Sequence, residues 1–275
     1  MASWIDVLVF SLIGGVISLI GGFILVRKEK TAQHLATYAT PFAAGVLLAA
    51  AFTDLLPEAL AEQSARSVMT VALFGVLGFF FLERFLGWFH HHHEHEGKTK
   101  QSKNSLVIIG DTLHNALDGV AIGAAFLIDT PTGVVAALAV AAHEIPQEIG
   151  DFGLLLKNGM ERSKVILVNV ISALATTVTA LLAFSLGSGE NSVVPFLLAA
   201  TAGFFIYIAT SDIIPEIHEK AKSRTDIRPW LLLLGAIFIM VVSPLAHDYM
   251  DAGHEAAESS ESAAHEQGTD DDHGH

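Results

Sequence analysis

Apolar residues in this chain fall in long uninterrupted blocks separated by short charged stretches. Residues 7–26, VLVFSLIGGVISLIGGFILV, run for twenty positions without a charge, enough to cross a hydrocarbon layer about 30 Å thick as a helix. Comparable blocks lie near 4–26, 36–60, 69–89, 105–128, 132–156, 165–186, 193–217 and 229–249. The pattern predicts an all-α integral membrane protein with eight transmembrane helices. The first block lacks a basic n-region and is too long for an h-region, so it reads as a span and not as a cleaved signal peptide.

The charged stretches orient these spans. Arg27, Lys28 and Lys30 fall between spans one and two, and Lys98, Lys100 and Lys103 between three and four. Lys157, Arg162 and Lys164 follow span five, and Lys220, Lys222, Arg224 and Arg228 precede span eight. All of these lie on one side, and the opposite side holds only Arg66. By the positive-inside rule the basic side is cytoplasmic, which predicts a multi-pass cell-membrane protein with both termini extracytoplasmic. Residues 1–250 then form the transmembrane domain, including a cytoplasmic loop at 90–104. Residues 251–275, with eight acids and no Lys or Arg, are expected to be a disordered extracytoplasmic tail. That tail accounts for much of the formal charge of −14. An acidic chain without a basic aromatic patch argues against nucleic acid as a partner. Cysteine is absent, which excludes disulfides and thiolate chemistry.

Two distant segments look alike. AAAFTDLLPEAL at 49–60 and YIATSDIIPEIH at 207–218 share Asp54/Asp212, Pro57/Pro215 and Glu58/Glu216 in register. They end spans two and seven, which run in opposite directions. The expected arrangement is 3+2+3, with helices 1–3 and 6–8 as inverted repeats around helices 4 and 5.

Those two central helices carry acids and histidines where lipid-compatible residues belong. On helix four, Asp111, His114 and Asp118 share one face, with Asn115 beside them. On helix five, His143, Gln147 and Asp151 form a stripe, with Glu144 and Glu148 on an adjoining one. An unpaired carboxylate at the bilayer centre costs about 2.5–3.5 kcal/mol on insertion scales, so these groups require protonation, pairing or a bound cation. The connection DTPT at 129–132 is short, which makes the helices antiparallel neighbours. His114–Asp118 and His143–Gln147 are each centred about fourteen residues from that turn, at a common depth near the midplane at ~1.5 Å per residue. Imidazoles, carboxylates and an amide at one level suit zinc and its first-row neighbours; calcium usually takes an all-oxygen shell. Asp111, Glu148 and Asp151 remain open between ligand, proton carrier and helix-pairing residue. Pro146 cannot donate to the carbonyl of Ala142 and should disturb helix five beside His143 and Glu144. Gly119, Gly123 and Gly150 would allow close helix approach.

HNALDG at 114–119 and HEIPQEIGD at 143–151 resemble the paired motifs HNxxDG and HExPHExGD of the ZIP (Zrt/Irt-like) family of divalent-metal transporters. The DLLPEAL ending of helix two, GFFIYIAT of helix seven and the histidine-bearing loop fit that family as well. The resemblance covers residues 1–250. It implies eight helices with both termini outside, zinc or a similar ion (Cd2+, Fe2+, Mn2+) moving into the cytoplasm, no prosthetic group, and a homodimer. Carried over residue by residue, it implies a primary site of His114, Asp118, His143 and Gln147. An adjoining site would use Asn115, Asp118 and Glu144, with Asp118 shared. Gln147 stands where that branch has histidine, and helix six offers only Asn169, Ser172 and Thr176 where some relatives have an acid.

The loop FHHHHEHEGKTKQSKNS carries His90, His91, His92, His93 and His95. It is either a solvated linker or a weak metal-capturing loop that receives departing ions. His34, His218 and His247 near helix ends are further candidates along a pathway. The pair HE at 143–144 recurs in intramembrane metalloproteases of the HExxH type, but position 147 is glutamine and Pro146 precedes it. A transporter, and not an enzyme, is the expectation.

Overall fold

The computed structural model describes residues 2–91, 100–187, 193–220 and 226–267, and every element among them is helical. Helix α1 (Trp4–Gly15) begins at a reciprocal cap: the Ser3 hydroxyl accepts from the Asp6 amide, while the Asp6 carboxylate accepts from the Ser3 amide at 2.8 Å. A short 3₁₀ turn (Ile17–Leu19) leads into α2 (Ile20–Arg27). Then follow α3 (Glu29–Ala49), α4 (Leu56–Glu62), α5 (Ala65–His91), α6 (Lys100–Ile128), α7 (Thr130–Lys157) and α8 (Arg162–Gly187). The chain closes with α9 (Val194–Tyr207), α10 (Ile214–Lys220) and α11 (Arg228–Gln267).

Six stretches among the described residues are long and apolar enough to cross a membrane: Trp4–Leu25, Glu29–Glu62, Ala65–Phe85, Arg162–Gly187, Val194–Ser211 and Arg228–Asp248. Their outer faces carry large apolar side chains such as Phe74, Phe81, Ile171, Leu182, Trp230 and Leu245, all more than half exposed. In water such a belt would be an aggregation surface; against acyl chains it is the stable arrangement. The two other long helices, α6 and α7, are 29 and 28 residues and hold the acids of the polar stripes.

Several boundaries differ from those the hydropathy pattern predicts. The second expected span begins at 36, yet α3 starts at Glu29, because helix continues past the apolar block once the backbone is already bonded. Helices α5 and α6 likewise extend into the expected 90–104 loop. His92, His93 and His95 lie outside the described residues, as do the side chains of His90 and His91. The final helix runs to Gln267, into a segment rich in the strong helix formers Ala and Glu. Residues 268–275 lie outside the described residues.

The two look-alike segments share an unusual backbone. Ala50–Leu55 and Ile208–Ile213 are both six-residue π-helical turns, and each leads into a seven-residue helix, α4 and α10. Pro57 and Pro215 lack the N–H that an α-helix would send to Thr53 and Ser211, which favours a wide turn at both places. Helix α3 packs on α11 and α5 on α9, while α9 lies against the first π turn and α3 against the second. Both pairings cross at glycines. A Cβ on Gly45 would strike the Leu232 carbonyl of α11, and one on Gly235 the Phe42 carbonyl of α3. At the other crossing, Gly75 meets the Ala200 carbonyl and Gly203 the Ala72 carbonyl. Helices α1, α2, α6, α7 and α8 form the remaining group, joined to the first chiefly where α3 lies along α7.

Candidate metal centre

Helices α6 and α7 are set side by side by one residue between them. Asp129 caps α7 by accepting from the Thr132 amide at 2.7 Å, with Pro131 pre-set for the first turn. At its far end α7 stops at Gly159, whose φ of 89° suits glycine; the amides of Gly159 and Met160 bond back to Leu156 and Leu155. Helix α8 supports α6 from behind. Gly119 sits where a Cβ would strike the Thr176 carbonyl and Thr179, and the Thr179 hydroxyl donates to the Ala116 carbonyl at 2.8 Å. A Cβ on Gly150, in contrast, would meet nothing within 4 Å among the described residues, so no close helix approach depends on that glycine.

Between α6 and α7 the side chains of His114, Asp118, His143 and Glu144 converge, with one ligand atom from each inside a 4.8 Å group. His114 Nε2 lies 3.2 Å from His143 Nε2, 3.5 Å from Asp118 Oδ2 and 3.4 Å from Glu144 Oε1. His143 Nε2 lies 3.2 Å from Asp118 Oδ2 and 4.0 Å from Glu144 Oε1. A tetrahedron with metal–ligand bonds of about 2.0–2.1 Å has edges of about 3.3–3.4 Å. The observed separations scatter around that value. Asp118 Oδ2 and both Glu144 oxygens are buried without a hydrogen-bond partner among the described residues, and a buried carboxylate in that state is costly unless a cation faces it. The His143 Nδ1 lies 2.9 Å from the Ala139 carbonyl. Donation there leaves the Nε2 lone pair directed at the cluster.

Asn115, expected as a ligand, is hydrogen-bonded to its neighbours on α6 and α8. Its Nδ2 donates to the Asp111 carboxylate at 3.0 Å, to the Asp111 carbonyl at 3.2 Å and to the Ser172 hydroxyl at 3.4 Å. Its Oδ1 accepts from the Thr176 hydroxyl at 2.9 Å. Glu144, assigned by resemblance to an adjoining site, instead stands with His114, Asp118 and His143. Gln147 is half-buried one turn beyond His143. Glu148 is fully buried, its carboxylate oxygens without a hydrogen-bond partner among the described residues, and Asp111 is also buried. Asp151 is half-buried.

Aromatic rings wall the centre. Phe79 of α5 meets His114 edge-on at 5.7 Å, and Phe205 of α9 lies 6.2 Å from His143. Tyr207 stacks 5.5 Å from Phe79 and donates its hydroxyl to Glu83 at 2.5 Å. Nothing in the sequence pattern marks these rings, which lie among many membrane phenylalanines. Along the α3-facing side of α7 runs a cavity of about 1260 Å³, lined from Pro146, Ile149 and Gly150 to Arg27, Lys157 and Arg162. Of the outlying histidines, His34 stacks on Tyr38, His218 is exposed, and His247 pairs with Asp129 at 3.6 Å. None of the three joins the four-residue group.

A sequence profile described as ZIP Zinc transporter matches residues 2–107 and 101–244. Zinc transporter ZIP4 of Mus musculus is 40% identical over 129 residues, covering 47% of this chain and 19% of the mouse protein. Zinc transporter ZIP10 of Homo sapiens is 41% identical over 112 residues, 41% of this chain and 14% of the human protein. Zinc transporter ZIP13 of Pongo abelii is 32% identical over 240 residues, covering 82% of this chain and 71% of that protein. The chain thus spans a fifth or less of the ZIP4 and ZIP10 relatives.

Proposed function

We propose a function on one premise: the chain belongs to the ZIP zinc transporter family. It carries divalent transition-metal ions, zinc foremost, across the cell membrane into the cytoplasm and performs no enzymatic reaction. The observation that carries this reading is the convergence of four ligand atoms, three of them on buried residues, with most of their separations near the edge of a tetrahedral site. Two imidazoles favour zinc and its first-row neighbours over calcium or magnesium; cadmium, iron and manganese are competing substrates. His114, Asp118, His143 and Glu144 hold the ion, and Gln147 reaches it as the group swings between states.

The spans number eight, the six apolar ones plus α6 and α7, with the polar pair enclosed by the rest. The paired π turns and the reciprocal glycine crossings support the 3+2+3 arrangement of inverted repeats. Both termini face outward, on the strength of the basic loops, and the functional unit is a homodimer. In the transport cycle, the group holding α6 and α7 moves against the frame of α3, α5, α9 and α11, and the ion passes from one side to the other. His90–His93 and His95 receive ions on the cytoplasmic side, and the acidic tail gathers cations outside.

Radiolabelled zinc uptake into proteoliposomes tests the assignment. H114A and D118A should each reduce uptake at least tenfold, with cadmium, iron and manganese competing in the wild type. Uptake unchanged in both variants would refute the site.

A further inference from the structure

The two halves of α7 have different surroundings. Every α7 residue that lines the large cavity lies at or beyond Pro146, and Arg27, Lys157 and Arg162 stand at the basic end of that cavity. The first half is packed instead: Val135, Ala136, Ala137, Ala139 and Val140 are all 0% exposed. The molecule is therefore open beside the second half of α7 and closed beside the first.

At the closed end a run of contacts joins the frame to the group that holds α6 and α7. Asp54, in the first π turn, is buried, and its carboxylate accepts from the Ser243 hydroxyl of α11 and from the Thr53 hydroxyl at 2.8 Å. One turn further along α11, His247 Nδ1 lies 2.9 Å from the Ser243 carbonyl, and Nε2 lies 3.6 Å from Asp129 Oδ2. Asp129 belongs to the other group, in the α6–α7 turn, where its Oδ1 accepts from the Thr132 amide. The same carboxylate thus starts α7 with one oxygen and faces the frame with the other.

The ring geometry decides when the last contact attracts. A carbonyl oxygen only accepts, so Nδ1 carries a proton toward Ser243. In a neutral ring Nε2 is then a bare lone pair facing a carboxylate, and the two repel. The imidazolium, with a proton on each nitrogen, binds the two groups together. The other groups around His247 are acids as well. Asp54 of the π turn and Glu58 of α4 feel its charge, and Asp248 follows it on α11.

We propose that His247 and Asp129 form an external latch: the protonated ring ties α11 to the α6–α7 turn and holds the transporter closed outside and open toward the cytoplasm. Loss of the ring proton frees the turn for the outward-facing half of the cycle. Histidine is the side chain that ordinarily changes charge between about pH 5 and 8, so external acid favours the closed form. The inference rests on the reading of the chain as a transporter with the Asp129 turn outside.

The test is external thiol labelling, for which the chain is suited because it has no native cysteine. Ala136 lies seven residues before His143, on the same face of α7 and two turns nearer Asp129, and it is fully buried. A136C in the full chain, expressed in cells, is labelled with a membrane-impermeant methanethiosulfonate. H247Q and D129N are each added to this reporter; asparagine keeps the cap on α7 while removing the charge. Rates are compared with A136C alone at the same pH, which cancels the pH dependence of thiol reactivity. Both variants should label at least threefold faster at about pH 6, with the ratio falling toward one at about pH 8. Equal rates at the lower pH, or a ratio that persists at the higher, would overturn the latch. As a second readout, D129C/H247C joined by an external bifunctional thiol reagent should lose at least tenfold of its zinc uptake. Uptake that survives this cross-link, in a protein that H114A inactivates, would also overturn the latch. Uptake insensitive to H114A and D118A would sink the transport reading instead, so the two failures are distinguishable.

Discussion

The sharpest test of the centre is Asn115→Ala, because the two roles open to Asn115 predict opposite results. In the structure its amide bridges α6 to α8: it accepts from Thr176 at 2.9 Å and donates to Ser172 at 3.4 Å and to Asp111 at 3.0 Å. Removing it takes one donor from the Asp111 carboxylate and breaks two interhelical hydrogen bonds. Interhelical hydrogen bonds in membranes average about 0.6 kcal/mol and reach about 1.7, so two of them amount to ~1–3 kcal/mol. At about 2–4 °C per kcal/mol for a chain of this size, the melting temperature should fall by ~2–12 °C. Zinc affinity at the His114–Asp118–His143–Glu144 centre should change less than about threefold, since none of the four converging ligand atoms is lost. The assay is paired: thermal unfolding in detergent, and zinc titration well below the melting temperature. An N115A protein with wild-type stability and zinc affinity weakened more than tenfold would mean that Asn115 is a ligand and that its contacts with α8 are incidental.

Two further outcomes follow from the same structure. Gln147→His supplies an imidazole one turn beyond His143 and should tighten zinc binding by about 10-fold, or 1.4 kcal/mol; unchanged affinity by calorimetry would remove Gln147 from the ligand set. Gly203→Ala places a methyl against the Ala72 carbonyl and 2.9 Å from Val76 N, so it should lower stability by about 1–3 kcal/mol, whereas Gly78→Ala, with nothing within 4 Å, should be neutral or stabilising. Equal melting temperatures for the two glycine variants would show that the α5–α9 crossing tolerates separation.

Much of this protein is legible along the chain, and the reason is the bilayer. A span needs about 20 apolar residues, so the six apolar stretches announce themselves in hydropathy. Helices α6 and α7 fall short of that apolar character because of the acids and histidines they carry. Helical spacing puts Asp111, His114 and Asp118 on one face of α6, and the short Asp129 turn fixes the common depth of His114 and His143. The repeat is visible as TDLLPE and TSDIIPE, although nothing in those letters reveals that each stretch adopts a π turn. Helix α11 continues beyond Asp248 into a polar segment, where charge pattern speaks to solvation and not to backbone conformation.

What sequence alone determined is therefore periodicity, depth and donor chemistry: two imidazoles and several carboxylates at one level on two antiparallel helices. Which of those donors converge was decided by tertiary packing. Residue spacing along one helix is set by covalent geometry, but the rotation of α6 against α7 and α8 depends on glycines and hydroxyls that meet only after folding. Gly119 lets α8 approach closely, Thr176 and Ser172 draw Asn115 away toward α8, and Glu144 is left facing His114 beside Asp118. The same rotation leaves Glu148 buried, its carboxylate without a hydrogen-bond partner among the described residues, a consequence that no spacing rule within a single helix contains.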